Sequence, residues 1–249
     1  FTNSVYQHIN ILSLDVVAGA VIGALFFGGF LGASIEFWEL LALALTVWII
    51  YTLDHLRDAM AIPRIALTDR HRFHQQHFRA IAGIALLVAG MDFILLWFLS
   101  TPVLKTGFIL GLIVLLYLFL QRYLKFLKEF FVACLYTAGI LLPSLADTHV
   151  SLLPVHYVVI GKYFITALMN LLLFSLFDYQ EDRHQQQHSF VTWFGPASTR
   201  YGIVILGVLN IFGGLWLWSQ DPMAALIFIW MNLLLLTVLF AQHRLLNNN

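Results

Sequence analysis

The chain has 249 residues, 61% of them hydrophobic and only 10% charged, with 13 acidic and 13 basic side chains that cancel to a formal net charge of zero. A water-soluble domain carries about 25% charged residues, so this composition excludes a soluble globular fold and makes lipid the natural solvent. The zero net charge conceals an uneven distribution of charge along the chain, and no nucleic-acid partner is inferred from it.

Apolar runs long enough to cross a hydrocarbon core of about 30 Å lie at 10–31, 38–58, 79–99, 103–120, 126–144, 154–178, 198–218 and 222–241. They predict an all-α, polytopic transmembrane bundle of about eight helices, one domain over 1–249, with both termini on one side. The first run carries Asp15 near one end and the series Gly19, Gly23, Gly28, Gly29 and Gly32, small residues that permit close helix packing. No basic segment precedes it, so it is not read as a cleavable signal.

The second run ends in Ile50-Tyr51-Thr52-Leu53-Asp54-His55-Leu56-Arg57-Asp58. Asp54 and Asp58 are four apart and share one helical face, about 6 Å from each other. A polar stretch follows, Arg70-His71-Arg72-Phe73-His74-Gln75-Gln76-His77, in which histidine recurs every third residue. The third run holds Asp92, costly there unless paired. The fifth holds Cys134, and a lone cysteine excludes an internal disulfide and any multi-cysteine metal site. The sixth passes Asn170 and ends in Phe177-Asp178-Tyr179-Gln180-Glu181-Asp182-Arg183, where Asp178 and Asp182 repeat the four-residue spacing; His184 and His188 follow. Phe194-Gly195-Pro196 leads into the seventh run, and the eighth completes the chain.

Of the basic residues, Arg57, Arg64, Arg70, Arg72, Arg79, Arg122, Lys125, Lys128, Arg183, Arg200 and Arg244 fall beside the loops after runs two, four and six or in the tail, and Lys105 and Lys162 fall opposite. Eleven against two predicts that those loops face the cytoplasm. Both acid pairs then sit at cytoplasmic helix ends, where the helix dipole and their own repulsion call for a cation. Arg57 and Arg183 supply one as interfacial ion pairs on the simplest reading. The recurrence of the pattern 124 residues on suggests instead a quasi-repeat that brings four carboxylates to one cavity, a hard oxygen site suited to Mg²⁺ shared with phosphate oxygens.

These residues resemble the UbiA superfamily of intramembrane prenyltransferases. Its first motif, Asn-Asp-x-x-Asp-x-x-x-Asp, is matched in its last two acids by Asp54 and Asp58, while Ile50 and Tyr51 stand where the family has Asn and Asp. Asp178, Glu181, Asp182 and Arg183 are similar to its second motif, and Phe194 to Arg200 to its lead into the seventh helix. The family's usual ninth helix has no counterpart among the runs above. The resemblance implies that Asp54, Asp58, Asp178 and Asp182 hold Mg²⁺ on the diphosphate of an isoprenyl donor. It implies diphosphate contacts from Arg70, Arg72, Arg183 and His74, and a substrate cavity lined by Tyr51, Tyr179 and Asn170. A lipophilic, possibly aromatic, acceptor then receives the isoprenyl group.

Other readings stay open. His71, His74 and His77, or His184 and His188, have spacings that bind zinc or iron when a carboxylate joins them; polar interfacial loops also use histidine to meet water. The departures at Ile50 and Tyr51 fit a non-catalytic subunit of this fold that binds lipid, quinone or pigment beside protein partners in a membrane complex. A third alternative is an isoprenoid cyclase using the same metal-diphosphate site.

Overall fold

The computed structural model describes residues 8–61, 69–146, 151–184 and 188–247, the side chains at 61, 69, 70, 122, 181 and 243–247 excepted. Its helices are α1 Leu14–Leu31, α2 Phe37–Ala61, α3 Asp69–Gln76, α4 Phe78–Leu95, α5 Thr101–Leu124, α6 Lys128–Ala146, α7 Pro154–Phe177, α8 Tyr179–His184, α9 Phe190–Leu217 and α10 Pro222–Asn247. Among the described residues eight of these, all but the short polar α3 and α8, are long and apolar enough to cross a membrane. The chain is the all-α polytopic bundle its apolar runs predict. Leu86, Trp97 and Phe119 are 75%, 73% and 76% exposed, a surface suited to acyl chains rather than water.

Helix ends follow local chemistry. Ser13 sits in the left-handed region at φ 55 and is buried, so the chain turns there and α1 starts at Leu14, later than its apolar run. Gly32 ends α1 at φ 69, its N–H bonded to the Gly28 carbonyl. Within the glycine series, Gly23 and Gly28 are buried beside Ala20, Ala24 and Phe27, whereas Gly19 and Gly29 face outward; close packing accounts for the first two only. α7 and α10 begin at Pro154 and Pro222, where the missing N–H is no loss. Asp221 Oδ1 caps α10 by accepting the Ala224 N–H at 2.9 Å.

α9 begins at Phe190 rather than at the expected 198. Ser189 and Thr192 form a reciprocal cap, the Ser189 N–H donating to Thr192 Oγ1 at 2.8 Å and the Thr192 N–H to Ser189 Oγ at 3.4 Å. Gly195, at φ 83 and ψ 160, breaks the helix just before Pro196. The apolar run read from sequence corresponds to the rod after this break; the lead turn before it is helical too.

The described residues fall into two compact units, one drawn from 1–118 and 138–150, the other from 119–137 and 151–249. In the first, α2 packs against α1, α3 and α4. In the second, α7, α9 and α10 pack pairwise around Met169, Leu172, Leu173, Leu176, Val191, Ile203, Leu235 and Leu239. A Cβ at Gly214 would lie 2.9 Å from Ile229 Cγ1, so only glycine admits α10 so closely at that point.

Lys162, sorted from sequence to the side opposite the other basic residues, is 4% exposed and lies within α7 rather than in a loop. Its Nζ donates to the backbone carbonyl of Asn210 and, at 2.9 Å, to Asn210 Oδ1, and stands 5.5 Å from the Phe228 ring centre. Asn210 Nδ2 in turn donates to Thr166 Oγ1 at 2.9 Å and Asn232 Oδ1 at 3.2 Å. The helix tolerates the amine because α9 supplies its acceptors and α10 the face of the Phe228 ring.

Candidate functional site

In the first unit the acid pair stands on the last turns of α2. Asp54 and Asp58 are half-buried, with Tyr51 half-buried one turn earlier and Thr52 and His55 buried. Arg57 Nη1 donates to the Leu118 carbonyl at 2.7 Å, which anchors this helix end to α5. His55 Nε2 lies 3.0 Å from Ser13 Oγ, and its ring centre is 5.4 Å from that of His74 and 6.3 Å from that of Tyr51. Gln75 Nε2 donates to the Ala59 carbonyl at 3.0 Å, satisfying an acceptor that the end of α2 leaves open.

α3 therefore lays His71 and His74, 7% and 1% exposed, inward. His77 is exposed and bonds locally to the Phe73 carbonyl. Water contact explains His77 but not the other two. Arg72 is half-buried on the same helix, and the side chain of Arg70 lies outside the described residues. The transition-metal reading finds no geometry: among the described residues no three His, Cys, Asp or Glu side chains converge on a metal position. His55 is the member that sequence reasoning passed over; its signal was a histidine between two acids on an apolar helix.

In the second unit α7 ends at Phe177 and Asp178 is its C-cap residue. The Asp182 N–H bonds to the Asp178 carbonyl at 2.9 Å, so the helical turn carries across and the two acids stand one turn apart. Asp182 is half-buried. Burial pushes its carboxyl up to about 6, with Asp178 and Glu129 adding to the rise and a hydrogen bond from Ser189 and the charge of Lys128 opposing it. Arg183 and His184 are exposed; Tyr179 packs against the core of this unit, and Asn170 is half-buried two turns before Asp178.

Glu129, in the first turn of α6, also escaped the sequence reading. It is 7% exposed, and its Oε1 accepts from Ser175 Oγ at 2.7 Å and from the Phe190 N–H at 2.8 Å. Oε2 has no hydrogen-bond partner among the described residues. Next to it Phe126 packs on Trp193 and Phe194 at ring separations of 5.6 and 5.3 Å. The available signal was one acid opening an apolar run among basic neighbours.

Both units repeat one local order: a membrane helix, two carboxylates one turn apart at its end, a short polar helix, then a further membrane helix. The structure is similar over 94% of this chain and 85% of the other to a UbiA homologue from Archaeoglobus fulgidus bound to DMAPP and Mg²⁺, with a TM-score of 0.68 at 11% identity. The chain has the UbiA fold. A digeranylgeranylglyceryl phosphate synthase shares the UbiA fold with it at a TM-score of 0.52 and 16% identity, over 94% of this chain and 88% of that one. No protein-family profile matches the chain, and no curated protein matches it.

Two half-buried carboxylates one turn apart are a hard oxygen donor set. They suit Mg²⁺, which takes one or two carboxylates and completes its shell with phosphate oxygens and water. Each pair fits that demand.

Proposed function

We propose that the chain is an intramembrane prenyltransferase, one catalytic domain over 1–249, that moves an isoprenyl group from an isoprenyl diphosphate to a lipophilic acceptor. The observation that carries this reading is the UbiA fold with a carboxylate pair retained at the end of both α2 and α7. Asp54 and Asp58 at one pair, and Asp178 and Asp182 at the other, would hold Mg²⁺ for the diphosphate of the donor. The metal, when bound, neutralises charge on the departing diphosphate. Arg70, Arg72 and Arg183 offer planar forks of donors to the phosphate oxygens, and His74 helps from the inner face of α3. Tyr51, Tyr179 and Asn170 border the isoprenyl chain. The basic bias of the polar ends, eleven against one once buried Lys162 is set apart, supports a cytoplasm-facing site.

The test is binding of DMAPP, farnesyl or geranylgeranyl diphosphate to the purified chain with and without Mg²⁺. Mg²⁺-dependent binding that disappears in Asp54→Ala and in Asp178→Ala supports the reading. A second reading, a non-catalytic subunit that holds lipid, quinone or pigment in a larger complex, is favoured by Ile50 and Tyr51 at two polar motif positions. A chain that binds no diphosphate and purifies only with partner proteins decides for it.

A further inference from the structure

An acid suits the first turn of a helix, but Glu129 is buried there. One carboxylate oxygen accepts two hydrogen bonds and the other has none among the described residues. A neutral side chain would fill the space with less electrostatic penalty. Such local conflicts mark functional sites.

What the carboxylate achieves is geometric. Ser175 precedes Asp178 by three residues on α7, and Phe190 opens α9, which packs on the short helix α8 that carries Asp182. One side chain thus ties the start of α6 to the end of α7 and the start of α9. The tie matters because Gly195 interrupts the helical dihedrals between the lead turn of α9 and the rod beyond it. The turn is held by Glu129, the Ser189 cap, the burial of Val191 in the core of this unit and the Phe126, Trp193 and Phe194 rings.

We infer that Glu129 is a positioning residue: by holding the Phe190 N–H and the Ser175 hydroxyl it keeps the start of α9 against α8 and the end of α7, and so sets the second acid pair for a divalent cation and diphosphate. This rests on the prenyltransferase reading above. Glu129 touches neither cation nor substrate; it acts through α9.

The experiment compares Glu129→Gln, which keeps an acceptor oxygen, with Glu129→Ala, which does not, in the full chain. Two readings are taken: amide hydrogen exchange over 188–194 without ligand, and the Mg²⁺ concentration for half-maximal DMAPP binding. In Glu129→Ala exchange speeds at least about tenfold and the Mg²⁺ midpoint rises about tenfold, the size expected when support behind a metal ligand is lost. Glu129→Gln stays within about twofold in both, a difference that bulk destabilisation would not produce. Unchanged exchange in Glu129→Ala overturns the inference, as does faster exchange with an unmoved midpoint, or equal loss in both variants. Should Glu129→Ala not fold, Ser175→Ala removes one of the two bonds and shifts both readings the same way by about threefold; no shift overturns the inference. A wild-type chain without Mg²⁺-dependent binding sinks the prenyltransferase reading by itself, and the exchange comparison still decides whether Glu129 holds the turn.

Discussion

At Asp182 the carboxyl titrates near 6 rather than at its ordinary 3.8, chiefly because it is buried. Between those values the folded chain holds a proton that the unfolded chain has released, so this group makes the metal-free protein less stable as pH rises from about 4 to 6. A divalent cation must displace the same proton. Mg²⁺ affinity is therefore expected to fall as pH drops through 6, and Asp182→Asn to abolish that dependence along with most binding; titrating Mg²⁺ against DMAPP binding between pH 5 and 7.5 measures it. None of this was legible in the sequence, which shows an acid one turn after another but not its depth. His55 and Glu129 were hidden for the same reason. Their partners, Ser13 and Phe190, lie 42 and 61 residues away, and no periodicity encodes a contact of that kind.

Among the elements, α7, α9 and α10 depend on polar side chains as much as on apolar ones. Replacing Asn210 with Leu removes the Oδ1 acceptor of the Lys162 amine and leaves it the backbone carbonyl at that position, which should cost about 1.5–3 kcal/mol, the range for hydrogen bonds to charged groups. Adding Lys162→Met should recover most of that loss, because an apolar pair of similar volume replaces a costly polar one. Thermal unfolding in detergent of both singles and the double gives the coupling. Gly195→Ala should cost about 1–3 kcal/mol, since φ 83 with ψ 160 is open to glycine alone. Helix existence was easy to read from apolar run length; helix ends were not. The run that begins α1 conceals the left-handed turn at Ser13, and the polar lead into α9 conceals five helical residues before the break. At Ser13 the left-handed backbone marks the boundary, and at Ser189 the reciprocal hydrogen bonds with Thr192 do.

For the whole molecule, the sequence was most informative where physics is coarsest. A charged share of 10% and eight apolar runs require a membrane bundle, and the repeated acid spacing pointed to the fold that the structure has. The two pairs belong to different compact units, so joint action on one diphosphate is a question for function. If they serve one substrate, Asp54→Ala and Asp178→Ala each remove nearly all transfer activity and the double variant is little worse than either, the non-additivity of groups acting as a unit. Independent sites would give losses that multiply.

The joint at Gly195 also bears on how the protein meets bilayers of different thickness. The rod from 196 to 217 is about 33 Å long, and a membrane helix answers a thinner host by leaning. Leaning is expected to be taken up at the glycine, so that the turn beside Asp182 need not follow. On the prenyltransferase reading, transfer rates should accordingly vary little across lipids of different acyl length, and a chain stiffened by Gly195→Ala should become sensitive to them.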